Sequence, residues 1–171
     1  VDSMPAHKNI LPYATTANII KHFYGYTYTL GGIISVLGRD FERIGGFPNF
    51  WGWGYEDNLL QQRALESGIG IDRNVFFKIG DSENIVHFEH GSERTMNKFD
   101  FDKYSTKTNE GLYTIFKLDY NIDEKNNFVN VTDFKTGYEE VKQAKFVHDL
   151  KNGNRPLQYN KRKSTMVMRF L

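Results

Sequence analysis

The amino-acid sequence predicts an α/β fold, and three observations carry that expectation. A helical stripe over residues 55–67 is followed by two strand-like segments and a further helical stretch. Residues 112–118 and 128–134 are apolar-rich, flank a polar run and read as a hairpin. Of the 171 residues, 39% are hydrophobic and 15% aromatic, enough to enclose the core of one domain or of a piece of a larger one.

Taken in order, residues 1–14 read as loop, with Pro5 and Pro12 and little periodicity. Residues 16–24 read as a short helix or an irregular crossing segment. Residues 26–37 are β-branched and aromatic, hence strand-like, but Gly31-Gly32 interrupts them. Such a pair inside a strand signals a bulge or another group pressed close to the backbone. Residues 39–44 form a short predicted helix, with Phe41 and Ile44 on one face and Gly45-Gly46 as its stop. An aromatic loop, 47–54, leads to the clearest helix, 55–67. Its stripe is Leu59, Leu60, Arg63 and Ala64, and Gly68 ends it. Strands at 75–79 and 84–88, a helical stretch at 101–109, and the hairpin turning through 121–127 complete the pattern. No internal repeat or low-complexity segment is present.

The net charge of +1 conceals an asymmetry, since residues 142–171 hold eight Lys or Arg against the single acid Asp149. Residues 135–171 are therefore assigned as a basic tail of unknown role. It lacks the regular aromatic interleaving of a nucleic-acid surface, and no nucleic-acid partner is expected. The absence of cysteine excludes disulfides and thiolate metal sites. No apolar run reaches membrane-spanning length. With no cysteine and no signal peptide, a cytoplasmic setting is expected. A Golgi-type lumenal setting is the alternative, should upstream sequence carry an anchor.

Chemistry concentrates in Trp51-Gly52-Trp53-Gly54-Tyr55-Glu56-Asp57, which holds both tryptophans of the chain. Indole faces suit the C–H face of a pyranose and each offers an N–H. The glycines permit tight turns and close approach of a ligand. Glu56 and Asp57 supply hydroxyl acceptors and a general base. Packing of the indoles onto the core, and preference of carboxylates for a helix N-terminus, are the plainer explanations of the same residues. Their clustering favours a carbohydrate site.

The order of motifs resembles the β-1,4-galactosyltransferase family of glycosyltransferases. The matching pieces are Gly31-Gly32-Ile33-Ile34-Ser35, then Gly46-Phe47-Pro48-Asn49, the Trp51–Asp57 block, Ile85-Val86-His87, and Gly111-Leu112. The resemblance covers roughly residues 1–134. It implies a GT-A type fold, here as the C-terminal, acceptor-side half with a mixed sheet. The implied reaction is inverting transfer of a hexose or N-acetylhexosamine from a UDP-sugar to a hydroxyl of a glycan or glycoconjugate. The implied cofactor is a divalent metal, Mn²⁺ or alternatively Mg²⁺.

Residue by residue, the resemblance makes Asp57 the base and has Glu56 orient sugar hydroxyls. It has Trp53 stack on sugar and help close the site, with Trp51, Gly54 and Tyr55 as further substrate-binding residues. Gly31 and Gly32 would let the backbone approach the donor. Val1-Asp2 resembles the end of the metal-binding D-x-D motif, which implies that the chain is cut through that motif and lacks its uridine-binding half. Poor activity is therefore expected of residues 1–171 alone. His87 matches a further ligand, and Asn84 stands where the family often has methionine. In a regular strand residues 84 and 87 face opposite ways, so joint ligation needs a bend. His90 reads as surface.

Three departures bear on specificity. Tyr55 replaces a glycine, Asn58 replaces an acid, and Thr29 stands where a tyrosine favours galactose. The smaller Thr29 leaves room for an N-acetyl group, which tilts the expectation toward a 2-acetamido sugar. Polypeptide N-acetylgalactosaminyltransferases and chondroitin polymerases, with a similar W-G-G-E-[DN] helix start, are the neighbouring enzyme alternative. A non-catalytic carbohydrate-binding relic is the alternative of another class, and a purely structural fragment the third.

Overall fold

A computed structural model describes residues 2–88, 91–137 and 139–153. In chain order the elements are β1 (Ser3–Pro5), β2 (Ile19–Gly25), β3 (Ile33–Ser35), α1 (Gly38–Arg43), α2 (Glu56–Glu66), β4 (Gly70–Asp72) and β5 (Phe77–Lys78). Then follow β6 (Ile85–His87), β7 (Glu93–Asn97), α3 (Lys98–Ser105), β8 (Ile115–Asp123), β9 (Phe128–Thr136) and β10 (Lys145–Asp149). The architecture is mixed α/β.

β2 organises the fold. It pairs antiparallel with β3 and parallel with β4 and β5, giving a mixed four-stranded sheet. The sequence reading of residues 16–24 as helical or irregular is corrected here. Ile20, His22, Phe23 and Tyr24 are all buried, so apolar residues fall on both faces. A strand covered on both faces loses the period-two alternation that would reveal it.

The strand expected over residues 26–37 shrinks to β3. Residues 26–32 form a turn, and the β2–β3 register shifts between His22 and Tyr24. The glycine pair thus lies just ahead of β3 instead of inside a strand, and the register irregularity falls on β2 opposite it. Two further expectations were too simple. Residues 1–14 contain β1, which pairs with β6, and the 75–79 strand narrows to the two residues of β5. β4 was not anticipated, nor were β7 and β10, which pair antiparallel with each other. β10 thus ties the start of the basic tail to the body, while residues 154–171 lie outside the described residues.

α1 and α2 form where their patterns place them. Leu60 and Ala64 of α2 join Ile20, Leu30, Ile44 and Ile69 in one core cluster, and Leu59 is buried as well. Full burial of a leucine such as Leu60 contributes about 1.5–3 kcal/mol. Arg63, on the same stripe, donates to the carbonyls of Gly46, Thr108 and Glu110 at 2.8, 2.7 and 2.5 Å. α2 is thereby fixed to two loops as well as to the sheet, which makes its N-terminus a rigid platform.

Candidate functional site

The first turn of α2 carries Glu56 and Asp57. The Asn58 N–H donates to Asp57 Oδ1 at 2.9 Å, and the Leu30 N–H donates to the Asp57 backbone carbonyl at 3.2 Å. The turn between β2 and β3 is thus stitched to the start of α2. A Cβ built on Gly31 would overlap the Asp57 carboxylate, with Oδ2 the atom met first. The close approach signalled by the glycine pair is this one. Thr29 is buried, and its Oγ1 accepts from the Gly31 N–H at 3.3 Å.

Glu56 turns back on its own loop, accepting from the Gly54 N–H at 2.9 Å. Burial pushes its carboxyl above the usual value; the charges of Asp57 and Asp100 add to that, and the N–H groups of Glu56 and Gly54 oppose it. Such a carboxyl is suited to holding hydroxyls.

The tryptophan loop is held from α3 and β7. Asp100 Oδ2 accepts from the N–H groups of Trp51 and Gly52 at 2.8 and 2.6 Å, and the Trp53 N–H donates to the Thr95 carbonyl at 2.8 Å. The two indoles then part company. Trp51 stacks on Phe134 of β9, with ring centroids 6.0 Å apart and 15° between planes. Trp53 turns toward the clefts with the Arg94 guanidinium 6.0 Å from its ring. Tyr55 caps α2 in the left-handed region, at φ 73°, and stacks on Tyr104 at 4.7 Å. That backbone conformation explains why a glycine can stand here.

Three cavities meet at these residues. The largest, about 730 Å³, is lined by Asp2, Gly31, Gly32, Trp53, Glu56 and Asp57 among others. A second, about 360 Å³, includes Asp2, Thr29, Gly31, Trp53, Asp57 and His87. A third, about 250 Å³, is walled by Tyr26, Tyr28, Trp53, Tyr55, Glu56 and Asp57. Trp53 and Asp57 border all three; Trp51 borders none of them.

Asp2 and His87 come together through the β1–β6 pairing, in which Ser3 lies opposite His87 and the Phe88 N–H donates to the Asp2 carbonyl at 3.0 Å. His87 Nε2 lies 3.2 Å from the Asp81 carbonyl, to which it must donate, so Nδ1 faces Ser3 Oγ and Tyr24 Oη, each at 3.3 Å. The Asn84 side chain donates to the Asp81 carboxylate at 3.2 and 3.3 Å. Among the described residues no group of three or more His, Asp or Glu converges on a metal position. Their helices also include none long and apolar enough to cross a membrane. His90 lies outside the described residues.

Two residues of this region gave no signal in the sequence. Asp100 secures the tryptophan loop from 48 and 49 positions away. His22, wholly buried, contacts the carbonyl of Gly31. Neither lies in a motif, and only the fold brings them to the site.

Residues 12–91 match a family model described as the N-terminal domain of galactosyltransferase. Human β-1,4-galactosyltransferase 5 is 30% identical over 130 residues, covering 75% of this chain and 30% of that protein. The rat β-1,4-galactosyltransferase 6 is 32% identical over 98 residues, covering 56% of this chain and 25% of the relative. A xylosylprotein 4-β-galactosyltransferase of Caenorhabditis elegans is 30% identical over 104 residues, 55% of this chain and 35% of that protein. The chain spans about a third of the length of such curated relatives.

Proposed function

Because the chain belongs to the β-1,4-galactosyltransferase family, we propose that it is the acceptor-side half of a GT-A type, inverting, metal-dependent transferase. In this reading it moves a hexose or N-acetylhexosamine from a UDP-sugar to a glycan hydroxyl. The observation that supports it best is that Asp57 and Trp53 border all three cavities, so one carboxylate and one indole serve every ligand position.

The placement of the residues supports the following roles. The donor lies across Gly31 and Gly32, where the absence of Cβ atoms keeps the floor low. The acceptor sugar packs on Trp53, Tyr26 and Tyr28, whose rings supply flat apolar area. Asp57 Oδ2 takes the proton of the acceptor hydroxyl as its oxygen bonds to the anomeric carbon. The bond from that carbon to the diphosphate breaks, and its electron pair leaves with UDP. Glu56, held back on its own loop by the Gly54 N–H, orients sugar hydroxyls.

A carboxylate and an imidazole on one cavity wall are a donor set suited to Mn²⁺ or Mg²⁺, so Asp2 and His87 would hold the cation. Lewis-acid neutralisation of the leaving diphosphate is the chemistry such an ion supplies when bound. Asn84 would have to release Asp81 to join them. Thr29, bordering the second and third cavities, is the residue proposed to admit a 2-acetamido group.

The test is UDP release by the complete protein with Mn²⁺, a panel of UDP-sugars and candidate glycan acceptors, with product configuration read by NMR. Turnover giving the inverted anomer, best with UDP-N-acetylgalactosamine or UDP-N-acetylglucosamine, is expected. Preference for UDP-galactose would sink the Thr29 assignment alone. A retained anomer would point to the polypeptide N-acetylgalactosaminyltransferase alternative, and sugar binding without turnover to a carbohydrate-binding relic.

A further inference from the structure

His22 is fully buried on the central strand β2 and borders none of the three cavities, yet its ring nitrogens join the two halves of the site. Nε2 lies 2.9 Å from the carbonyl of Gly31 and 2.9 Å from that of Tyr24. Nδ1 lies 3.0 Å from Arg73 Nε. Carbonyls only accept and a guanidinium only donates, so the proton sits on Nε2 and the lone pair on Nδ1. Arg73 then donates to Gln61 Oε1 at 2.9 Å, on α2 one turn beyond Asp57.

A closed circuit results: α2, Arg73, His22, Gly31 and back to Asp57 of α2. Other bonds at the turn are longer, at 3.3 Å from the Gly31 N–H to Thr29 Oγ1 and 3.2 Å from the Leu30 N–H to the Asp57 carbonyl. The space behind the turn is also closed. A Cβ on Gly25 would lie 2.5 Å from the Gly31 oxygen and 2.9 Å from His22 Nε2. The Phe76 ring meets the imidazole edge-on at 4.9 Å.

We propose that His22 is a positioning residue of the transferase site, clamping the Gly31 carbonyl from behind so that the Gly31-Gly32 turn stays under the Asp57 carboxylate and forms the donor floor. Its kinetic consequence rests on the transferase reading above; the clamp itself does not. A histidine serving only to fill the core would affect stability alone. A clamp instead acts on the ligand whose floor it sets, because a freed Gly31 peptide can rotate its carbonyl toward the donor cavity.

The experiment compares the complete protein with His22→Met, which fills the space without an N–H, and His22→Gln, which restores a donor and an acceptor. Donor KM, acceptor KM, kcat, Tm and amide exchange over residues 26–33 are read for each. For His22→Met, donor KM is expected to rise about tenfold with acceptor KM held, and exchange over 26–33 to quicken while that of 59–66 does not. His22→Gln is expected to return donor KM to within about threefold of the parent. If the Met variant fails to fold, His22→Asn, too short to reach Gly31, takes its place with the same expectation.

A Met variant with unchanged donor KM and unchanged exchange overturns the clamp. So does a Gln variant as impaired as the Met variant in KM and exchange. Should the parent turn over no UDP-sugar, the transferase reading fails, and exchange over 26–33 decides the clamp by itself.

Discussion

Gly31 and Asp57 meet so closely that a Cβ on the glycine would overlap the carboxylate. The turn after β2 and the first turn of α2 are therefore shaped to each other, and the base of the proposed reaction has one seat.

Gly31→Ala tests that fit. The added methyl displaces the carboxylate, and a misplacement near 1 Å lowers transfer about hundredfold. The site is at the surface of the core, so a folded protein with a modestly lowered Tm is expected. Undiminished kcat in this variant would show that Asp57 does not act from the position described.

The parting of the two indoles gives an optical test. Trp51 stacks on Phe134 and borders none of the three cavities, whereas Trp53 borders all three. Sugar binding should therefore change the fluorescence of Trp53 alone. Trp51→Phe is expected to retain the ligand-induced change and Trp53→Phe to lose it; the reverse would place the sugar at the other ring.

Stability should depend on His22 in mildly acidic solution. Burial lowers its pKa below the ordinary histidine value of 6.5; Arg73 adds to the shift, and the carbonyls of Gly31 and Tyr24 and the charge of Asp57 oppose it. The unfolded chain therefore takes up the proton first as pH falls. Stability from the neutral ring is complete above 6.5 and is lost as pH drops through the lower folded value. Tm should fall on acidification from pH ~7 to ~5.5, and less steeply in His22→Gln. Equal slopes would remove His22 from the titration.

Tyr55 sets backbone strain against stacking. At φ 73° a residue with a Cβ is strained by about 1 kcal/mol, and its rings of contact, Tyr104 and Phe101, offset that. Tyr55→Ala loses the stacking and keeps the strain, so it should be less stable than Tyr55→Gly by about 1 kcal/mol. Thermal unfolding of the pair decides it, and an alanine variant as stable as the glycine variant would contradict the assignment.

α2 could be read from the sequence because one face is apolar, one is not, and Gly68 stops it. Asp57, Trp53 and the Gly31-Gly32 pair could be read because their chemistry is local. β2 could not, since burial on both faces makes its composition ambiguous between helix and strand. β4 has only three residues and β5 two, too short for any periodicity. The supports of the site were hidden for another reason. His22 reaches Gly31 across nine positions and Asp100 reaches Trp51 across 49, and no local pattern marks either end of such a contact. Likewise, two equivalent tryptophans on paper become one wall residue and one anchor only when β9 supplies Phe134.

The most direct measurement is transfer by Asp57→Asn beside the parent, in the complete protein with Mn²⁺, the preferred UDP-sugar and an acceptor. The amide keeps the size and the hydrogen bond to the Asn58 N–H but cannot take a proton, so kcat should fall by about 10²–10⁴ while donor affinity persists. A variant that transfers sugar at the parental rate would contradict Asp57 as the base, and with it the central reading of this site.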